Sequence, residues 1–322
     1  MRILRLPALL VIAASGLLGA CSGAASSPSS PTTSAPSVAA SAAPSASVEA
    51  SASAAAGSPS AGASSGAAAT LAVTGKEYAF DLPASVPAGV TAITLNNAGK
   101  EQHQAQLVKI NAGKSMADLL TALQNPDPTA ALSLVTLAGG PNAVPPGASG
   151  TSTVALEPGS YAFVCFISAP DGTPHVAKGM IAPLEVTGTA TTTQLPAGDA
   201  SLTLKDFSFD LNSLTAGKHT VNVKNDGPQP HEATIVKLND GVTVDTLKGM
   251  LSASPAPSGS GEPSGPPPWT EVGGLTGIAP GTTANMDVDL PAGNYAFLCF
   301  IPDPATGKPH FQLGMIGPLN VQ

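Results

Sequence analysis

The sequence has few charged residues and no long hydrophobic run beyond its N-terminal segment. Charged residues make up 11% of the 322-residue chain, against roughly 25% in an average soluble protein. The net charge of −8 argues against a nucleic-acid partner, because nucleic acids attract basic surfaces. The three Cys are far apart in the sequence, which excludes a zinc motif of the Cys-x-x-Cys type.

The N-terminal 20 residues have the pattern of a secretory signal peptide. Arg2 and Arg5 precede an apolar run from Leu6 to Leu18 that is too short for a membrane span. The ending Leu18-Gly19-Ala20-Cys21 resembles the lipobox of bacterial lipoproteins, which implies that Cys21 becomes a lipidated N-terminus. We therefore predict an extracytoplasmic protein, lipid-anchored to the bacterial cell membrane. A signal peptide cut elsewhere, which leaves a soluble secreted protein, is the alternative.

Residues 21–69 form a low-complexity segment of Ser, Ala, Pro, Gly and Thr. The segment lacks the large apolar side chains that would offset the entropy of ordering it, so we predict a disordered linker. The rest of the sequence is an internal repeat of two similar copies. The copies predict one domain at 70–190 and a second at 199–322. The matching segments are Tyr78–Leu82 with Phe207–Leu211, Thr91–Asn97 with His219–Asp226, and His103–Ile110 with His231–Leu238.

Each copy predicts an all-β fold with a short helix. Apolar and polar residues alternate in segments such as Ala92–Leu95 and Thr220–Val223, with turn residues between them, which is typical of a β-sandwich. A helical pattern covers Ser115–Gln124 in the first copy and Val244–Leu251 in the second. In the first helix, Met116, Leu119, Leu120 and Leu123 share one face.

The most informative repeated feature is a set of Cys, His and Met residues in constant order. Nine residues separate the Cys from the His in the first copy and ten in the second, and the Met follows its His by five positions in both. A further His lies upstream at matching places. Two imidazoles, a thiolate and a weak thioether suit copper. The candidate ligands are His103, Cys165, His175, Met180, His231, Cys299, His310 and Met315.

Each of these residues also has a simpler interpretation when it is taken alone. Cys is among the most buried residue types, and Met commonly fills cores. The two His that follow Pro can be surface turn residues. Cys165 and Cys299 can form a disulfide, which an extracytoplasmic compartment permits. The recurrence of all four residue types is what favours a metal site.

The segments around the two Cys resemble the C-terminal half of a cupredoxin, the blue copper fold. In the first copy they are Pro158–Cys165, Gly179-Met180 and Leu184–Val186, and in the second Pro291–Cys299, Gly314-Met315 and Leu319–Val321. The resemblance covers both copies. It implies two Greek-key β-sandwiches in tandem, each with one copper ion at one end, held mostly by the loop between the last two strands.

The sequence departs from the cupredoxin pattern at two places. The Cys-to-His loops are much longer than in most members, so they must either form a small hairpin that returns the His to the metal or displace it. Gln104 and Glu232 follow the first His where the family often has Asn, which leaves open how the ligands are oriented.

The small number of His limits the possible functions. The chain has five His, four of which belong to the candidate sites, whereas multicopper oxidases and two-domain nitrite reductases need more for their additional coppers. We therefore expect no oxidase or reductase activity. The sequence predicts a membrane-anchored copper protein for electron transfer or copper handling, with a redox partner protein and no nucleic-acid partner. A copper-free structural or interaction module is the alternative.

Overall fold

The computed structural model describes residues 68–125, 127, 129–189, 194–253 and 267–322, all of which fall in one compact unit. The predicted signal peptide (1–20), Cys21 and nearly all of the predicted linker lie outside the described residues, as does 254–266. Within the described ranges, no helix is long and apolar enough to cross a membrane.

The first half of the described chain consists mainly of short strands. They are β1 (Ala69–Lys76), β2 (Ala79–Asp81), β3 (Ser85–Pro87), β4 (Gly89–Asn97), β5 (Gln106–Ile110), β6 (Val135–Leu137), β7 (Ser149–Leu156), β8 (Gly159–Val164) and β9 (Ile181–Thr187). Helix α1 (Met116–Ala122) begins after the cap residue Ser115, whose side chain accepts a hydrogen bond from the backbone N–H of Asp118. A second helix, α2 (Thr129–Leu132), was not predicted and precedes β6.

The second half repeats this order strand for strand. Its strands are β10 (Ala200–Lys205), β11 (Ser208–Phe209), β12 (Ser213–Leu214), β13 (Gly217–Asn225), β14 (His231–Leu238), β15 (Trp269–Ile278), β16 (Thr283–Leu290), β17 (Gly293–Leu298) and β18 (Ile316–Val321). One helix, α3 (Val244–Ala253), lies between β14 and β15. The predicted strands at 92–95 and 220–223 lie within β4 and β13, so both are confirmed.

The strands of each half form two sheets that face one another. In the first half the orders are β2-β1-β4-β7 and β3-β9-β8-β5-β6, and in the second half they are β11-β10-β13-β16 and β12-β18-β17-β14-β15. Pairing is antiparallel except between β1 and β4, β10 and β13, β3 and β9, and β12 and β18. The expectation of an all-β chain with two β-sandwiches in tandem is therefore confirmed.

The two halves share one sheet, which the sequence did not predict. β7 pairs with β16 in antiparallel register, Thr153 opposite Asn285 and Ser152 opposite Met286. This pairing joins four strands from each half into one eight-stranded sheet. The largest cluster of buried apolar side chains also includes residues from both halves, among them Leu71 and Val321.

A second contact joins the segment after β6 to β15. The backbone N–H of Gly139 donates to the carbonyl of Gly277 at 2.9 Å, and that of Thr276 donates to the carbonyl of Gly140 at 2.9 Å. Nearby, the Asn142 side chain donates to Thr234 Oγ1 at 2.8 Å in a buried position. The halves are thus held together by backbone pairing and by buried polar contacts.

Candidate metal centres

Three chain segments meet at the same end of each sandwich. In the first half, β8 and β9 are antiparallel neighbours with Val164 opposite Ile181. Cys165, which follows β8, therefore lies beside Met180, which precedes β9, and the backbone N–H of Cys165 donates to the Met180 carbonyl at 3.2 Å. His103 comes just before β5, which pairs with the other side of β8.

The long Cys-to-His loops fold back on themselves. In the first half, the backbone N–H of Ala169 donates to the Thr173 carbonyl at 2.9 Å, and that of His175 donates to the Ile167 carbonyl at 2.8 Å. In the second half, the backbone N–H of Asp303 donates to the Lys308 carbonyl at 2.8 Å. Of the two alternatives that the spacing left open, the structure shows the small hairpin that returns each His to its Cys.

The first centre consists of His103, Cys165 and His175, all 0% exposed. The two Nδ1 atoms lie 3.1 Å apart, and the Cys165 Sγ lies 3.4 Å from Nδ1 of His175. The backbone N–H of Gln104 donates to the same Sγ at 3.5 Å. One sulfur and two imidazole nitrogens therefore converge on one buried point.

The second centre, His231, Cys299 and His310, has the same arrangement and is also 0% exposed. The two Nδ1 atoms are again 3.1 Å apart, and the Cys299 Sγ is 3.4 Å from Nδ1 of His310. The backbone N–H of Glu232 donates to that Sγ at 3.5 Å. Both cysteines are free and each lies within its own centre, so they do not form the alternative disulfide.

The two predicted Met ligands are buried next to these groups. Met180 and Met315 are 0% exposed, and their backbone N–H groups donate to the carbonyls of His175 and His310, both at 2.9 Å. The backbone thus ties each Met to the second His of its own half. The binding role of the thioether itself stays a prediction.

The donor atoms fit a copper ion in each half. Nitrogen and sulfur ligands about 2.0–2.3 Å from one ion stand roughly 3.3–3.8 Å apart at tetrahedral to trigonal angles, and the 3.1 and 3.4 Å separations in both centres lie close to this range. Two imidazoles and a thiolate, with a Met beside them, form the donor set that copper prefers.

Burial sets the protonation of the metal-free centres. It lowers the pKa of His103, with a smaller effect from the neighbouring His175, and it lowers the pKa of His231. Burial, followed by the neighbouring His231, lowers the pKa of His310 to about 4. Burial raises the pKa of Cys165 to about 11 and that of Cys299 well above its ordinary value. The thiols are therefore protonated at neutral pH, and a bound metal must displace that proton.

An acceptor outside the first centre fixes the orientation of its second imidazole, that of His175. The Nε2–H of His175 donates to Glu101 Oε2 at 2.9 Å, and Tyr78 OH donates to Glu101 Oε1 at 3.0 Å. Glu77 Oε1, which accepts from the backbone N–H of Glu101 at 2.8 Å, faces Nε2 of His103 from 3.7 Å. With the proton on Nε2, the Nδ1 lone pair of His175 is left for a metal.

The second centre has a comparable outer layer. Asp206 Oδ1 lies 2.5 Å from Nε2 of His231, and the Nε2–H of His310 donates to Gln229 Oε1 at 3.2 Å. The Gln229 side chain also donates to Asp206 Oδ2 at 3.3 Å. The Asp206 side chain is 23% exposed and contacts a buried imidazole.

A glycine in each half makes room for these contacts. A Cβ on Gly227 would lie 2.7 Å from His231 Nε2 and 2.8 Å from Asp206 Oδ1. A Cβ on Gly99, at the matching place, would lie 2.7 Å from His103 Nε2 and also collide with Glu77. Any side chain at these two positions would therefore push the imidazole and the carboxylate apart.

The outer residues were missed because their sequence signal is weak. Glu77 and Asp206 occupy matching places just before the aligned segments 78–82 and 207–211, which is the one sign that the repeat offers.

The fifth His, His219, lies outside both centres, with Nδ1 2.7 Å from Asp199 Oδ2. Glu232 is buried, which raises its pKa to about 7, and its Oε1 accepts from the backbone N–H of Phe300 at 2.7 Å.

Comparison with known proteins finds no matching family model and no matching curated protein. Among solved structures, an auracyanin from Roseiflexus castenholzii is 22% identical over 38% of this chain and 95% of its own, with a TM-score of 0.25. Auracyanin A from Chloroflexus aurantiacus, a blue copper protein, is 24% identical over 38% and 100%, with a TM-score of 0.24. The copper nitrite reductase from Nitrosomonas europaea is 15% identical over 79% and 93%, with a TM-score of 0.22. These scores are low, so the fold assignment rests on the strand order and register.

Proposed function

We propose that this chain is a copper-binding electron-transfer protein with one mononuclear centre in each half. The observation that carries the proposal is the convergence, twice, of two buried imidazole Nδ1 atoms and one buried thiol sulfur. His103, Cys165, His175 and Met180 would hold the first ion. His231, Cys299, His310 and Met315 would hold the second.

Electron transfer suits these centres better than catalysis. A bound copper ion supplies reversible one-electron redox chemistry. The His and Cys side chains of both centres are 0% exposed, so the protein would surround a bound ion and keep water and substrates away from the ligand atoms. An electron can still reach such a site from the surface, whereas a reacting substrate needs an open ligand position. Copper handling without electron transfer would use the same ligands.

The test is copper loading of the full chain. We expect two copper ions per chain, one for each His/Cys/His group, and an intense thiolate-to-copper absorption band. The Cys165→Ser, Cys299→Ser double variant should lose the band. A chain that stays colourless and copper-free would contradict the proposal and favour a structural or interaction module. A chain that binds zinc and excludes copper would also contradict it.

We also propose that the chain is held at the outer face of a bacterial cell membrane and exchanges electrons with a partner protein. The support is the signal-like N-terminus, the lipobox-like sequence before Cys21 and the low-complexity segment that follows. Cys21→Ala should move the protein from the membrane fraction to the soluble fraction. Equal membrane binding of both forms would contradict lipid attachment.

A further inference from the structure

The two copies of the repeat differ at two positions that contact the second His of each centre, His175 or His310. Tyr78 and Glu101 stand in the first half where Phe207 and Gln229 stand in the second. The inner ligands are the same in both halves, so this pair is a change confined to the surroundings of one ligand. The two rings keep the same place, because the Tyr78 ring centroid is 4.9 Å from that of His175 and the Phe207 centroid is 4.9 Å from that of His310.

In the first half, the pair places a carboxylate on the imidazole. Both Glu101 oxygens are occupied, one by the Nε2–H of His175 at 2.9 Å and the other by the Tyr78 hydroxyl at 3.0 Å. The Glu101 side chain is 24% exposed, so its charge is only partly screened by water. The tyrosine hydroxyl fixes which way the carboxylate faces.

In the second half, the same place holds a neutral amide. Gln229 Oε1 accepts from the Nε2–H of His310 at 3.2 Å, and the phenylalanine ring has no hydroxyl to position it. The amide is positioned by its own donation to Asp206 at 3.3 Å. Tyr with Glu and Phe with Gln are therefore two self-consistent pairs that one fold accommodates.

Other surroundings of the two centres do not repeat this difference. The first His of each half is faced by a carboxylate in both cases, Glu77 at 3.7 Å and Asp206 at 2.5 Å. At the residue whose backbone N–H faces the sulfur, the amide and the carboxylate are exchanged between the halves. The first half has Gln104 there, and the second has the buried Glu232. Comparing one centre with the other would mix these two effects, so the test must change the pair within a single centre.

We infer that Glu101, held by Tyr78, is the positioning residue that strengthens the preference of the first centre for the oxidised ion. The inference rests on the proposed copper function. A carboxylate that accepts the Nε2–H makes the imidazole a stronger donor at Nδ1. A nearby negative charge in a partly buried site also favours the ion of higher charge.

The experiment uses the full chain with Cys299→Ser, in which the first centre keeps its thiolate. In that background, Tyr78→Phe with Glu101→Gln converts the pair into the one that the second half already carries. We expect the ratio of Cu(II) to Cu(I) affinity to fall about tenfold, the lower end of outer-shell effects. For a one-electron couple this corresponds to an upward shift of about 59 mV in the midpoint potential. Tyr78→Phe alone should give a smaller shift in the same direction.

The matched control is Glu185→Gln, an exposed carboxylate on β9 that accepts from Ser160 at 2.9 Å and should leave the potential unchanged. Glu101→Asp, which keeps a carboxylate, should give a smaller shift than the double variant. Copper bound with an unchanged potential in the double variant, or an equal shift in the control, would overturn this inference alone. Failure of the Cys299→Ser parent to bind copper would overturn the proposed function as well.

Discussion

The two halves present the same inner residues within different outer layers. In both, two Nδ1 atoms lie 3.1 Å apart with a sulfur 3.4 Å from one of them. The outer acceptor of the second imidazole is a carboxylate in the first half and an amide in the second. Metal chemistry restricts the residues that bind, whereas several side chains can hold an imidazole in place. The comparison therefore predicts two centres that bind the same metal through the same ligands but differ in the hydrogen bonds that orient those ligands.

Removal of a single thiol should have the largest effect. Cys165→Ser and Cys299→Ser should each lose one of the two expected copper ions and the thiolate band of that centre, because each Cys belongs to a separate group. The measurement is copper per chain with the absorption spectrum, and each variant serves as the control for the other. Loss of both ions in either variant would show that the centres are not independent.

The contact between the halves can be weakened at Leu275, whose side chain is 0% exposed in the buried cluster that both halves form and whose backbone bridges to Pro141 of the first half. Leu275→Ala should lower the free energy of unfolding by about 2–5 kcal/mol. Because the halves share a sheet and a core, both should lose stability together in denaturant. Leu120→Ala, at a 42% exposed position, is the control, with an expected change within about 0.5 kcal/mol. An effect confined to the second half would contradict a shared core.

The inner ligands were predictable and much of their setting was not. The repeat preserves the order Cys, His, Met and adds an upstream His, so the candidates could be chosen from residue types alone. Glu77 and Asp206 come from segments remote in sequence from the His that they face, and their carboxylates look like ordinary surface charges until the chain folds. The pairing of β7 with β16 has no sequence sign, because strand edges carry generic backbone donors and acceptors.

The pH dependence of the metal-free protein should reveal the buried imidazoles. The pKa of His310 falls from its ordinary value of 6.5 to about 4, so the unfolded chain binds more protons between these values. The free energy of unfolding should therefore fall as the pH drops from 6.5 towards 4, by on the order of 2–3 kcal/mol, since one pKa unit corresponds to about 1.4 kcal/mol. Denaturant titrations across this range provide the measurement. His310→Gln should reduce the slope, and a flat profile in the unmodified chain would contradict burial of the neutral ring.

Crowding the outer layer should produce a smaller effect, limited to one half. Gly227→Ala would place a Cβ 2.7 Å from His231 Nε2, so the contact with Asp206 must open. We expect the copper affinity of the second centre to fall about 10- to 100-fold, with the first centre unchanged. Gly249→Ala, at a helical position with no neighbour within 4 Å, is the matched control. Equal affinities in the two variants would show that the Asp206 contact does not support the ligand.

The most direct measurement of the central claim is X-ray absorption at the copper edge on the loaded full chain. Two His and one Cys converge in each centre, so the spectrum should show two nitrogen neighbours and one sulfur neighbour at bonding distance for each copper. A first shell of oxygen and nitrogen without sulfur would place copper elsewhere on the protein and contradict the account of both centres.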